Sequence, residues 1–146
     1  MHPPPISHTC TRKIEFDSAH RVMRHESKCR NLHGHRYVAE FTATGALDPL
    51  GRIIDFSVLK AIVGKWVDDN WDHGVILNTR DAELVDFVLD QGWKCFEMQT
   101  NPTAETMAEF LCHKSNNLLA DTGVTVVHVR LYETPNCWAD FRNENC

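Results

Sequence analysis

Apolar and polar residues alternate along the first third of the chain, and the alternation predicts two strands. Over residues 12–20, Ile14, Phe16, Ser18 and His20 share one face. Over residues 33–46, Tyr37, Ala39, Phe41 and Ala43 continue the face begun by His33 and His35. The turn-like LDPLG stretch (47–51) follows, and from Phe56 the period lengthens. Leu59, Ile62, Val63, Trp66 and Val67 recur at helical spacing, with Asp55 or Ser57 available as N-cap and an expected end near Asn70. Residues 80–92 are ambiguous between loop and a short helix, and residues 94–99 fit a short strand. After Asn101-Pro102 a second long helix is expected from Thr103 to near Gly123, burying Ala104, Met107, Ala108, Leu111, Cys112, Leu118 and Leu119. A strand over 124–134 and another over 137–142 close the chain.

The order strand, strand, helix, helix, strand, strand predicts an α+β domain: a four-stranded antiparallel sheet with two helices on one face (ββααββ). The opposite sheet face and the sheet edges then need cover, which favours an oligomer. No repeat or interdomain linker interrupts the pattern, so a single domain over 12–146 follows a loose, Pro-rich lead-in over 1–11.

Composition narrows the function classes. The chain has 146 residues, 42% of them apolar, enough for a modest core but with no run of the roughly 20 needed to span a membrane. The N-terminal residues lack the apolar segment of a secretory signal, so a cytoplasmic protein is expected. In that setting the six cysteines read as free thiols rather than disulfides. A net charge of −5 argues against a nucleic-acid surface while leaving room for a phosphorylated small molecule.

The chemistry concentrates on histidines. His33 and His35 lie two apart on one strand and point the same way, and Gly34 between them leaves the opposite face uncrowded. A hairpin brings His20, at the end of the first strand, beside them. Three neutral imidazoles suit Zn²⁺ and leave a fourth position for water or substrate, the mark of a catalytic site. Cys29 stands four residues before His33. It reads equally as a fourth ligand closing the site or as a free thiol acting as a base, favoured as thiolate by Lys28 and Arg30. Cys112, Cys10 and Cys146 read as inert. Asp72-His73 follows a helix, where a carboxylate can support a histidine in proton transfer, although adjacent residues rarely bond one another. Glu133 closes the apolar row of Val127, Val129 and Leu131, so its carboxylate needs a partner: two N–H donors of a ligand, or an arginine.

Taken together, FDSAH (16–20), CRNLHGH (29–35), WDHGVILN (71–78), NPTAE (101–105) and YETP (132–135) resemble the 6-pyruvoyl-tetrahydropterin synthase family over residues 12–142. The three-residue gap between Cys29 and His33 is most similar to its bacterial, carboxy-forming branch of queuosine biosynthesis, because the animal pyruvoyl-forming enzymes carry a longer insertion there. The resemblance implies the T-fold, a barrel-forming homohexamer of two trimers, and active sites between subunits. It implies His20, His33 and His35 as zinc ligands, Cys29 as the catalytic thiol and Asp72 with His73 as a proton relay. It further implies Glu133 on the pterin amino-pyrimidine edge, with Thr103 and Ala104 at the helix start touching the pterin. Ala104 departs from the Ser or Thr often found there, so only its main chain is carried over. The implied reaction converts 7,8-dihydroneopterin triphosphate to 6-carboxy-5,6,7,8-tetrahydropterin, acetaldehyde and triphosphate. The pyruvoyl-forming elimination and a non-catalytic zinc- or pterin-binding module are the competing readings. Arg24, Lys28, Arg30 or Arg36 is the candidate partner for the triphosphate, and the sequence does not choose among them.

Overall fold

The computed structural model describes residues 7–143, so Cys146 and the first half of the lead-in lie outside it. Strand β1 (Thr9–His20) begins three residues earlier than the alternation suggests and pairs antiparallel with β2 (His33–Thr44) over its whole length. Further along the sheet, β2 pairs antiparallel with β5 (Thr125–Thr134), and β5 with β6 (Cys137–Arg142). These four strands are the antiparallel unit that the sequence pattern predicts.

Two short strands extend it on the other side. Both β3 (Gly74–Asn78) and β4 (Cys95–Met98) run parallel to β1, giving the order β4-β3-β1-β2-β5-β6. Their direction follows from their connections: the helix α3 (Ala82–Asp90) carries the chain from β3 back to the start of β4, a crossover that antiparallel neighbours do not need. The sheet is therefore six-stranded and mixed rather than four-stranded throughout. The Val75-Ile76-Leu77 run is short and covered on both faces, so it lacks the period-two signature of a half-buried strand.

The first long helix is built from α1 (Phe56–Leu59) and α2 (Lys65–Asn70), joined by a π-helical segment at Lys60–Gly64. Asp55 caps it by accepting from the Ser57 N–H at 2.8 Å. The second, α4 (Ala104–Leu118), starts at a capping box in which Thr103 and Thr106 satisfy each other's backbone N–H groups. It ends in a 3₁₀ turn at Ala120–Thr122, and Gly123 takes a positive φ of 75° there.

Both helices pack on the sheet face that carries Phe16, Tyr37, Phe41, Val129 and Leu131, closing a core with Leu59, Val67, Met107 and Leu111. The other face is charged. Lys13 pairs with Glu40 across strands, and Arg36 reaches both Glu15 and Asp17. At β3 this face is covered instead by a third helix, α3, where Val85 and Val88 pack on Leu77, so the helices do not all lie on one face as the sequence pattern predicts. The edges β4 and β6 still need cover.

Candidate metal centre and its cavity

The β1–β2 register fixes the histidines. His20 lies directly opposite His33, and Ser18 opposite His35, so all three imidazoles project to the core side at one end of the hairpin. Their ring centroids are 4.7, 5.2 and 4.9 Å apart. One ligating nitrogen from each lies within 4.8 Å of the other two. Gly34 eases the close approach of β1 and β2 between the two histidines, because a Cβ there would stand a tight 3.2 Å from the Ser18 carbonyl oxygen.

Main-chain carbonyls orient two of the rings. His20 Nδ1 donates to the Pro102 carbonyl at 2.6 Å, and His33 Nδ1 to the Asn31 carbonyl at 2.7 Å. A carbonyl only accepts, so in each ring Nδ1 carries a proton and Nε2 is the nitrogen turned toward the cluster. Among the described residues, the Nε2 atoms of His20 and His35 are buried without a hydrogen-bond partner. Burial above all pulls the His20 pKa from 6.5 down to about 4, with the Pro102 bond opposing and His33 and His35 lowering it further. Burial also lowers that of His35, against the opposing charge of Glu133. Neutral imidazoles with inward lone pairs and no partner fit a divalent metal of the zinc type.

Glu133, near the end of β5, meets this cluster rather than an arginine. Its carboxylate oxygens stand 4.0 Å from His20 Nε2 and 3.8 Å from His35 Nε2. An anion beside two lone pairs is itself a reason for a cation between them.

A cavity of about 360 Å³ opens beside the cluster, and its wall includes His20, Cys29, Thr103, Ala104, Glu133 and Cys137. Cys29 reaches it from a 3₁₀ turn (Lys28–Arg30) whose main chain is tied back by the Val22 N–H donating to the Cys29 carbonyl at 2.8 Å. Its sulfur is not part of the three-histidine donor group. Thr103 spends its hydroxyl on the helix cap, accepting from the Thr106 N–H, and Ala104 is buried beside it.

Asp72 and His73 lie elsewhere. They do bond one another, His73 Nδ1 donating to Asp72 Oδ2 at 2.8 Å, against the expectation for adjacent residues. His73 achieves this with a positive φ of 57°. The other Asp72 oxygen accepts from the Asp17 N–H at 2.9 Å. Burial works to raise the Asp72 pKa, but the Asp17 N–H, His73 and Lys94 outweigh it and the net direction is down. His73 is exposed and lines a second cavity, of about 510 Å³, with Asp17, Arg36, Trp93 and Lys94 on the charged side of the sheet. His35 also lines this second cavity, whereas Asp72 does not, and within one chain His73 is not brought to the cavity of His20, Cys29 and Glu133.

Several residues at the site escaped the sequence reading. Tyr37 packs its ring 5.5 Å from His35 and 5.8 Å from His20, and its hydroxyl is buried with no hydrogen-bond partner among the described residues. Burial first, then the charges of Glu133 and Cys29, push its phenol pKa up, so it stays protonated. Its place two residues after His35 on the same face was the available signal. Cys137 sits in the cavity wall although the cysteines other than Cys29 read as inert. The Pro102 carbonyl has no side-chain signature and was not foreseeable.

Fold and site define a mixed-sheet α+β protein with a three-histidine centre, and comparison with known proteins gives its family. The profile described as 6-pyruvoyl tetrahydropterin synthase matches residues 9–144, and the chain belongs to that family. Over 134 residues it is 43% identical to the 6-carboxy-5,6,7,8-tetrahydropterin synthase of Rickettsia conorii, covering 90% of this chain and 97% of the relative. The protein of the same name from Haemophilus influenzae is 33% identical over 139 residues, covering 90% and 96%. Among solved structures, Caenorhabditis elegans 6-pyruvoyl tetrahydropterin synthase superposes with a TM-score of 0.69 at 25% identity, covering 99% of this chain and all of that one (100%). An uncharacterised protein from Wolinella succinogenes shares the fold with a TM-score of 0.82 at 21% identity, covering 96% of this chain and 100% of its own. The chain is a pterin-synthase-family enzyme with the T-fold of that family.

Proposed function

We propose that the chain is a zinc-dependent carbon–carbon lyase. It converts 7,8-dihydroneopterin triphosphate to 6-carboxy-5,6,7,8-tetrahydropterin, acetaldehyde and triphosphate, a step toward 7-deazaguanines such as queuosine. The observation that carries this reading is the pair of buried, partnerless Nε2 atoms on His20 and His35, set in one cavity with Cys29 and Glu133. The product assignment is supported by the names of the relatives at 43% and 33% identity.

His20, His33 and His35 would hold the metal. Zinc bound there supplies Lewis-acid polarisation of the hydroxyls on the pterin side chain. Cys29, outside the donor group but in the same cavity, would act as a base on the side-chain protons. Glu133 accepts from the N–H donors of the amino-pyrimidine edge and sets the orientation of the ring. Ala104 offers only its main chain to the pterin, and Thr103, whose hydroxyl is committed to the cap, shapes the wall. Asp72 fixes the proton of His73 on Nδ1, which leaves Nε2 free for proton exchange. Because His73 lines a different cavity from Cys29, the relay would reach each site from a neighbouring subunit of a homohexamer. The reaction consumes one water, which supplies the second carboxylate oxygen and the aldehyde hydrogen as the carbon–carbon bond breaks, and needs no outside oxidant: the pterin ring gains the two electrons that the side chain loses.

Mass spectrometry of the products formed from the triphosphate substrate tests the reading. Acetaldehyde with a 6-carboxy tetrahydropterin is expected. A pyruvoyl-bearing tetrahydropterin accumulating without acetaldehyde would place the chain with the pyruvoyl-forming enzymes instead.

A further inference from the structure

We propose that Asn101 is a positioning residue for the metal centre. Its side chain clamps the loop after β1 and the end of β3 to the turn whose next carbonyl orients His20. This inference rests on the metal reading given above.

A carboxamide offers two donors and an acceptor oxygen with two lone pairs, and Asn101 uses both kinds. Its Oδ1 accepts from the Met23 N–H at 3.2 Å and from Asn78 Nδ2 at 3.1 Å. Its Nδ2 donates to the Met23 carbonyl at 3.0 Å. One side chain therefore satisfies both main-chain groups of Met23, much as a strand partner does, in a loop with no strand beside it. Asn78 is itself buried, and its Oδ1 is committed to the Arg80 N–H at 2.9 Å, so the clamp has a rigid anchor in β3. The main chain of Asn101 is fixed as well. Its carbonyl accepts from the Thr103 N–H at 2.9 Å and from Thr106 Oγ1 at 2.6 Å, the same threonine that completes the α4 capping box.

Pro102 follows, with φ constrained by its ring, and its carbonyl receives the His20 Nδ1–H. Met23 stands beside Val22, whose N–H is bonded to the Cys29 carbonyl. Three pieces of the site arise from segments far apart in sequence: His20 from the end of β1, Cys29 from the turn and Thr103 from the start of α4. Asn101 is where the three are tied together. A ligand histidine whose second nitrogen meets a fixed acceptor is held in tautomer and direction, and groups in that outer position set metal affinity.

The test measures zinc dissociation constants of the full-length protein by competition with a chromophoric chelator, and the rate of Cys29 alkylation by iodoacetamide in the zinc-free state. Asn101→Ala is expected to weaken zinc binding by about 10- to 100-fold and to change the alkylation rate at Cys29. Asn101→Asp keeps the acceptor but sets a second oxygen against the Met23 carbonyl, and is expected to lose affinity too. Val85→Ala, in the separate small cluster of Leu77, Val85 and Val88, lowers stability without touching the clamp and is expected to leave both readouts unchanged. Wild-type affinity and alkylation in Asn101→Ala would overturn the inference, as would an equal loss in Val85→Ala. Should Asn101→Ala fail to fold, Asn101→Asp decides by the same criterion. A wild-type protein that binds no zinc would instead overturn the metal reading itself.

Discussion

Acidification of the zinc-free protein bears directly on how His20 is held. The fold keeps this imidazole neutral, with a pKa moved from 6.5 to about 4 by burial first of all. The unfolded chain therefore takes up the proton earlier as pH falls. Nothing is lost above pH 6.5; below it stability declines until the folded-state value near 4 is reached. The gap between those two values corresponds to about 3 kcal/mol in full, of which about 2 kcal/mol is lost by pH 5. A His20→Gln variant keeps a side-chain N–H for the Pro102 carbonyl but cannot titrate. Urea denaturation of both proteins at pH 7.5 and at pH 5, with zinc removed by a chelator, gives the comparison. The wild type is expected to lose about 2 kcal/mol more than the variant on that change. Equal losses would refute the account of His20 as a neutral, desolvated donor.

Other expectations follow from packing and from the separation of the two cavities. Phe16→Ala removes a fully buried ring stacked 5.0 Å from Tyr37 and should cost about 3–5 kcal/mol in denaturant titrations. Gly34→Ala drives a Cβ against the Ser18 carbonyl; a destabilisation of about 1–3 kcal/mol with weaker zinc binding is expected, measured by denaturation and chelator competition. Cys29→Ala and His73→Ala should each be inactive alone, yet recover about a quarter of wild-type turnover after unfolding and refolding as an equimolar mixture, by random pairing of subunits. No recovery would mean that Cys29 and His73 serve a site within one chain.

Legibility in the sequence tracked locality. Strict alternation from Ile14 to His20 and from His33 to Ala43 placed both strands and, through them, the three histidines side by side, because side-chain direction in a strand depends only on parity. The caps at Asp55 and Thr103 were equally local. The parallel pair β3 and β4 was not fully read, since a short strand covered on both faces has no alternation to display. Asp72 and His73 were recognised as a pair, but their direct bond depends on a left-handed backbone at His73, which sequence does not report. Nor did the sequence separate the cavity of His73 from that of Cys29, because each residue sits in a turn whose direction depends on the fold around it. Contacts made by main-chain atoms, such as the Pro102 carbonyl on His20, carry no residue signature at all.

The central claim is that three histidines hold a catalytic metal while Cys29 stands beside it as a base. Metal analysis of Cys29→Ala, paired with a turnover assay on the pterin triphosphate, tests it most directly. The account predicts one zinc per chain retained and turnover lost. Loss of zinc together with activity would make Cys29 a ligand and close the fourth position, and full turnover with zinc in place would remove it from the chemistry altogether.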